Sequence, residues 1–248
     1  MIRPPHGDSG YVFVPGHDNG PMRGAEPGKI VSTAGPQPQW IAVDWDLKSI
    51  NVNWPGRLWR VRIMKAAGAR DQPLGSARYT RASAVLVEAE EDAARLFGEF
   101  GRHVVEVLEA ARRLDRASAA TLAAHSDPEA AAANDRAWRR WLDGLGVAHG
   151  DHEDLSDTLQ FGGPVNHSPI GKGLLALFDI VWARARAVDG EAAFDGDDEE
   201  TWLVRPWNDA FSALTDAALA LGAPDIVRPE DRSILLAGWR GMTCGVPG

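Results

Sequence analysis

The spacing of the apolar residues changes once along this 248-residue chain, from a period of two to a period of about 3.6, near Glu88. Successive strand side chains point to opposite faces, whereas helix side chains three and four apart share one face, so the change separates a β region from a helical region. Before it, Ile41, Val43 and Trp45 alternate, as do Ile50, Val52 and Trp54, and Trp59, Val61 and Ile63 alternate with Arg60 and Arg62. These runs, with a fourth from Tyr79 to Glu88, predict an antiparallel meander whose second and third strands are joined by a type II turn at Pro55-Gly56. After it, Ala93, Leu96, Phe97, Phe100, Val104, Val107, Leu108, Ala111 and Leu114 form one apolar stripe. That stripe predicts a single long helix over about 90–114 that covers the sheet.

The rest of the chain sorts by its helix stops and starts. Residues 1–39 hold 7 Pro and 7 Gly, a density that predicts a loop-rich arm with short strands at Tyr11 to Val14 and Lys29 to Thr33. Ser126-Asp127-Pro128-Glu129 reads as a helix start, and Gly144 and Gly146 as its stop. Further helices are expected over Gly173 to Val188, Pro206 to Leu221 and Pro229 to Gly238, with the acidic run Asp195 to Glu200 as a linker or exposed turn. The fold class is therefore α+β, an N-terminal antiparallel sheet followed by a mainly helical C-terminal half. The expected regions are the arm 1–39, a sheet-and-helix region 40–146 and a helical region 147–248, the last two with separate cores or a shared one.

Charge follows the same division. Through Val85 there are 11 Lys or Arg against 6 Asp or Glu, and afterwards 15 against 29, within a net charge of −9. Arg57, Arg60, Arg62, Lys65, Arg70, Arg78 and Arg81 share their stretch with one acid, Asp71, and with Trp54 and Trp59. Such a mixture of cation and aromatic suits an anionic partner surface. The first expectation is that these arginines pair with the acidic C-terminal half of the same molecule; a protein partner comes next, and the negative total opposes nucleic acid. The predicted binding surface is Trp54, Arg57, Trp59, Arg60, Arg62 and, from the helical half, Lys172, with Trp202 and Trp207 as further candidates. One cysteine, Cys244, allows neither an intramolecular disulfide nor a thiolate zinc site. Together with the lack of an apolar leader or a membrane-length apolar run, it predicts a cytoplasmic location.

Two imidazoles and four carboxylates lie within nine residues at His149, Asp151, His152, Glu153, Asp154 and Asp157. Nitrogen and oxygen donors of this kind suit a divalent metal ion, with His167 as a further imidazole and Glu153 as general base on a metal-bound water. A solvated acidic turn is the competing reading. Asn166 to Gly173 resembles a phosphate loop through Gly171-Lys172, but Asn166 replaces its first Gly and Gly173 its Ser or Thr, which leaves helix capping as the competing reading. Asp44-Trp45-Asp46 after an apolar run resembles the first motif of haloacid-dehalogenase-type phosphatases over about seven residues. The expected meander does not match that family's parallel crossovers, and Asp46 to Ser49 reads as a hairpin turn. The order Arg23, Ser32-Thr33, Glu88-x-Glu90 is similar to the layout of some ADP-ribosyltransferases, with Ala34 where that motif has a second Ser.

The leading expectation is a cytosolic binding or regulatory protein acting through protein–protein contacts. The alternative is a metal-dependent hydrolase built on the His149/His152 loop, and the weaker alternative an NAD-dependent, ADP-ribosyltransferase-like enzyme.

Overall fold

The computed structural model describes residues 8–17, 19–33, 39–74, 77–145, 168–196 and 201–244. The chain divides into two compact units, Met1–Leu96 and Phe97–Gly248.

The first unit is built from strands β1 (Ser9–Pro15), β2 (Ile30–Ser32), β3 (Ile41–Asp44), β4 (Gly56–Ala66) and β5 (Tyr79–Glu91). β5 is 13 residues long and uses both edges. One edge pairs with β4; the other pairs with β3 at Tyr79 to Ala82 and with β2 at Ala84 to Leu86. β1 pairs with β4 along its length and with β3 at Tyr11↔Asp44, so the ring β5–β4–β1–β3 closes on itself. Closure removes the free edges that an open sheet exposes, and register irregularities in the β4–β5 ladder supply local bending. The strand order thus departs from a meander: β4–β5 is a hairpin, while β1 lies between β3 and β4.

Alternation does place the interior as the period of two predicts. Val12, Ile41, Val43, Trp59, Val61, Ala82, Val85 and Val87 form one core, with Met22 and Ala25 added from the β1–β2 connection. Arg60 and Arg62 point outward. Gly10 permits the β1–β3 crossing, because a Cβ there would run into the Asp44 carbonyl oxygen and come within 2.7 Å of Val43 Cγ1.

Two sequence expectations are corrected here. Residues 50–54 form no strand and make no hairpin with β4, since β1 and β5 already occupy both edges of β4. Ile50 instead packs with Leu58 and Leu96 in a second small cluster. The turn at Asp46 is present, with the Lys48 and Ser49 N–H groups donating to Asp46 Oδ1 at 2.9 and 3.0 Å. The long helix over 90–114 does not form as one element: β5 runs to Glu91, a short 3₁₀ turn spans Ala93–Phe97, and Gly98 breaks it at φ 92°. The two short strands expected in the N-terminal arm are present as β1 and β2, and both pair within the sheet.

The second unit contains α1 (Gly101–Arg112), α2 (Arg116–His125), α3 (Ala130–Leu145), α4 (Pro169–Asp189), the hairpin β6 (Phe194–Gly196) and β7 (Thr201–Leu203), α5 (Trp207–Gly222), α6 (Pro229–Leu235) and α7 (Ala237–Cys244). The buried face of α1 packs on α4 and α5. α5 is the hub and touches α1, α2, α3, α4, α6 and α7. Its residues 216–220 are all buried, while Asn208 and Ser212 nearer its start are exposed. Close approaches depend on small residues: Cβ atoms at Gly173 and Gly222 would meet Val104, and one at Gly238 would lie 3.0 Å from Ala213 Cβ. No helix among the described residues is long and apolar enough to cross a membrane.

Arg136 on α3 holds Asp231 in the first turn of α6, with Nη2 donating to Oδ1 at 2.5 Å and Nε to Oδ2 at 3.3 Å. The Asp231 side chain is 4% exposed, and the Arg136 hydrogen bonds hold its carboxyl below the usual range despite burial. Removing one partner of such a pair strands the other charge. Asp231→Ala is therefore expected to lower the unfolding free energy by about 2–3 kcal/mol, somewhat less than for a fully buried pair because Arg136 keeps access to water. Urea unfolding of the variant checks it. A carboxyl lowered in the folded state stabilises above its unfolded value and loses that contribution as pH falls, so the difference from wild type should shrink below about pH 4.

Candidate functional site

The basic stretch folds into a paired ladder. Arg57 makes a two-pronged contact with Glu90, Nε to Oε1 at 2.7 Å and Nη2 to Oε2 at 2.6 Å. Arg62 Nε donates to Glu88 Oε1 at 2.8 Å, and Arg60 lies 3.6 Å from Glu88 and 3.5 Å from Glu91. Arg78 pairs with Asp46. The expected pairing of these arginines with the acidic helical half is corrected: their partners are carboxylates of the same unit, carried on β5 and on the turn after β3. The first unit, 1–96, holds 12 Lys or Arg against 10 Asp or Glu, close to neutral. The basic excess through Val85 is offset by Glu88, Glu90, Glu91 and Asp92. Cross-strand pairs this exposed contribute little, so Arg62→Ala should change stability by less than about 1 kcal/mol in urea unfolding.

Two other members of the predicted surface are buried. Trp59 is 1% exposed inside the barrel, where Arg57 caps its ring at 4.4 Å, and Lys172 is 6% exposed in the first turn of α4. Trp54 is half-buried. Ser168 Oγ accepts from the Gly171 N–H at 3.0 Å, so the Gly171-Lys172 segment is a capped helix start. Trp202 is half exposed, while Trp207 is fully buried, its indole N–H donating to Asp189 Oδ2 at 2.8 Å. Glu88 and Glu90 lie on β5, and Arg23 donates to Asn19. His149, Asp151, His152, Glu153, Asp154, Asp157 and His167, with the divalent metal they were expected to hold, lie outside the described residues. Among the described residues no group of three or more His, Cys, Asp or Glu is arranged to hold a metal ion.

The site that sequence reading missed is a cleft of about 530 Å³ in the helical unit. It lies between the α2–α3 turn, α3 and α5. Asp127 and Pro128 line it from the turn, Asn134 and Asp135 from α3, and Phe211, Thr215 and Asp216 from α5. Asp216 is 6% exposed. Asn134 Nδ2 donates to its Oδ1 at 2.7 Å and is its one hydrogen-bond partner among the described residues, and Asp216 is among the residues that line the cleft. Burial pushes the Asp216 carboxyl up to about 6, against the opposing hydrogen bond from Asn134. Next to it, Thr215 Oγ1 is buried with no hydrogen-bond partner among the described residues.

The other charges of the cleft are committed. Arg139 Nε donates to Asp135 at 2.7 Å, Arg205 Nε lies 3.1 Å from Asp209, and Asp127 Oδ1 accepts from the Glu129 N–H at 2.8 Å. Asp216 is thus a buried carboxyl at the cleft, mostly ionised at neutral pH and mostly protonated at pH 5. It can act as a counter-ion or exchange a proton near pH 6. One sequence signal pointed to it: Asp216 falls three residues from both Ala213 and Leu219, on the apolar positions of α5.

Compared with known proteins, the chain matches no family model, and no curated protein or solved structure is significantly similar to it.

Proposed function

We propose that this chain is a ligand-binding regulatory protein whose helical unit receives a small molecule in the cleft between α3 and α5, anchored by Asp216. The observation that carries this reading is the state of Asp216 itself. A carboxyl buried on the hub helix, with one hydrogen bond and an adjoining cavity, is costly to the free protein. Concave sites with a few convergent polar groups are where small ligands bind. A ligand held there ties α3 to α5 and stabilises the unit by mass action, which makes occupancy a signal the rest of the protein can transmit.

A protein partner on the barrel is a second reading, favoured by Ile30 and Met64. Both are more than half exposed, Ile30 on β2 and Met64 on β4. A cytoplasmic setting belongs to the same proposal and rests on the single cysteine.

The test is an amide NMR screen of a library of small water-soluble fragments. Shifts clustering at Ala130, Ala131, Asn134 and Thr215, and lost in Ala131→Trp, which fills the rim of the cleft, would support the reading. Shifts scattered over the surface, or unchanged in that variant, would overturn it.

A further inference from the structure

We infer that the ligand of the Asp216 cleft is an organic cation, an alkylammonium or alkylguanidinium whose charged head meets the Asp216 carboxylate while its apolar arm lies along Ala130, Ala131 and Phe211. This rests on the reading of the cleft as a ligand site and specifies its chemistry.

The charge of the lining argues for it first. Asp127, Asp135, Asp209 and Asp216 face the space, and the one cation in the lining, Arg205, is bound to Asp209 with its side chain 87% exposed. Asp216 alone among the four carboxylates is deeply buried, and among the described residues no cation pairs with it. A negative charge held in low dielectric attracts a positive ligand far more strongly than a surface carboxylate does. An anionic ligand would meet that same charge with no free cation to offset it.

Donor and acceptor chemistry agrees. With its amide N–H given to Asp216, Asn134 has its carbonyl oxygen as an acceptor. Thr215, whose hydroxyl is buried with no hydrogen-bond partner among the described residues, also lines the cleft. An ammonium head brings three donors and no acceptor, which is the complement of a carboxylate, a carbonyl and a hydroxyl. Beyond them the wall turns apolar at Ala123, Ala130, Ala131, Pro128 and Phe211, suited to a short hydrocarbon arm. At residues 97–248 the unit carries 14 Lys or Arg against 25 Asp or Glu, a field that draws cations toward it.

The other titratable groups near α5 include Asp127, Asp135 and Asp209 in the cleft lining and, on neighbouring elements, His125 and Asp231. α2 ends in His125 and α6 supplies Asp231, held by Arg136; none of the three lines the cleft. Among the described residues α1, α4 and α7 place no charged side chain in the lining.

Isothermal titration of the full chain with n-butylammonium chloride, and with butan-1-ol as the uncharged counterpart, tests the inference. At pH 7.5 the cation is expected to bind saturably and the alcohol at least about tenfold more weakly. Asp216→Asn should weaken the cation by about tenfold or more. Lowering the pH to 5.0 should weaken it about tenfold in the unaltered protein, because a carboxyl titrating near 6 is then only about one-tenth ionised. The pH series needs no variant and decides the matter even if Asp216→Asn does not fold. Equal binding of alcohol and cation at the cleft, indifferent to pH and to Asp216→Asn, would overturn the cationic ligand and leave the cleft as a site. Failure of both probes to bind at tens of millimolar would overturn the cleft reading along with it.

Discussion

Asp216→Asn will make the protein more stable at pH 8, by about 2–3 kcal/mol, and will leave its stability at pH 3.5 nearly unchanged. Ionising a carboxyl that burial has raised from 3.8 to about 6 costs the folded state about 3 kcal/mol. The sign follows from which state holds the proton. Between about pH 4 and pH 6 the folded chain keeps it while the unfolded chain has lost it, so stability falls as pH rises and levels off above 6. Asparagine keeps the shape and can still accept the Asn134 hydrogen bond at its Oδ1, but it has no charge to bury. Urea unfolding at the two pH values measures the difference. A variant equal to or weaker than wild type at pH 8 would mean that Asp216 is ordinarily solvated or already paired. A gain in stability coupled to loss of cation binding is the pattern of a site kept for function at the expense of the fold.

Gly10→Ala carries the largest destabilisation expected in the barrel, about 3 kcal/mol or more. The added methyl would collide with the Asp44 carbonyl oxygen and with Val43 Cγ1. Backbone cannot swing aside as the tip of a side chain can. Tyr11↔Asp44 is the register point at which β1 meets β3, so separating them opens the ring there. Loss of amide protection in β1 and β3, with β4–β5 pairing retained, is the expected hydrogen-exchange result. Wild-type protection of β1 and β3 in the variant would show that the ring is not closed at this point.

How much of this could be read beforehand depends on the kind of residue. Trp59, Val61, Val85 and Val87 went inside and Arg60 and Arg62 outside because alternation is a local property of a strand. Ring closure was not legible: it depends on β5 being long enough to serve β4 on one edge and both β3 and β2 on the other, and no short window contains that pairing. Residues 50–54 alternate as well as any strand and still form none, since β4 had no free edge for them. α2, with the sequence RASAATLAAH, was missed because half of it is Ala and no apolar stripe marks a face. At the site the conspicuous charges misled. The arginines of β4 turned out to be paired with Glu88, Glu90 and Glu91, whereas one acid among the alanines and leucines of α5 became the cleft's anchor. Asp216 stood out only by its place in a helical period, and its partner Asn134 lies 82 positions away.

The most direct measurement is a carboxyl-carbon NMR titration of Asp216, with and without n-butylammonium chloride. The predicted result is a midpoint near 6 in the free protein, moving downward as the cation is added and stabilises the ionised form. A midpoint in the ordinary aspartate range near 3.9, unmoved by the cation, would contradict both the buried carboxyl and the cation site built on it.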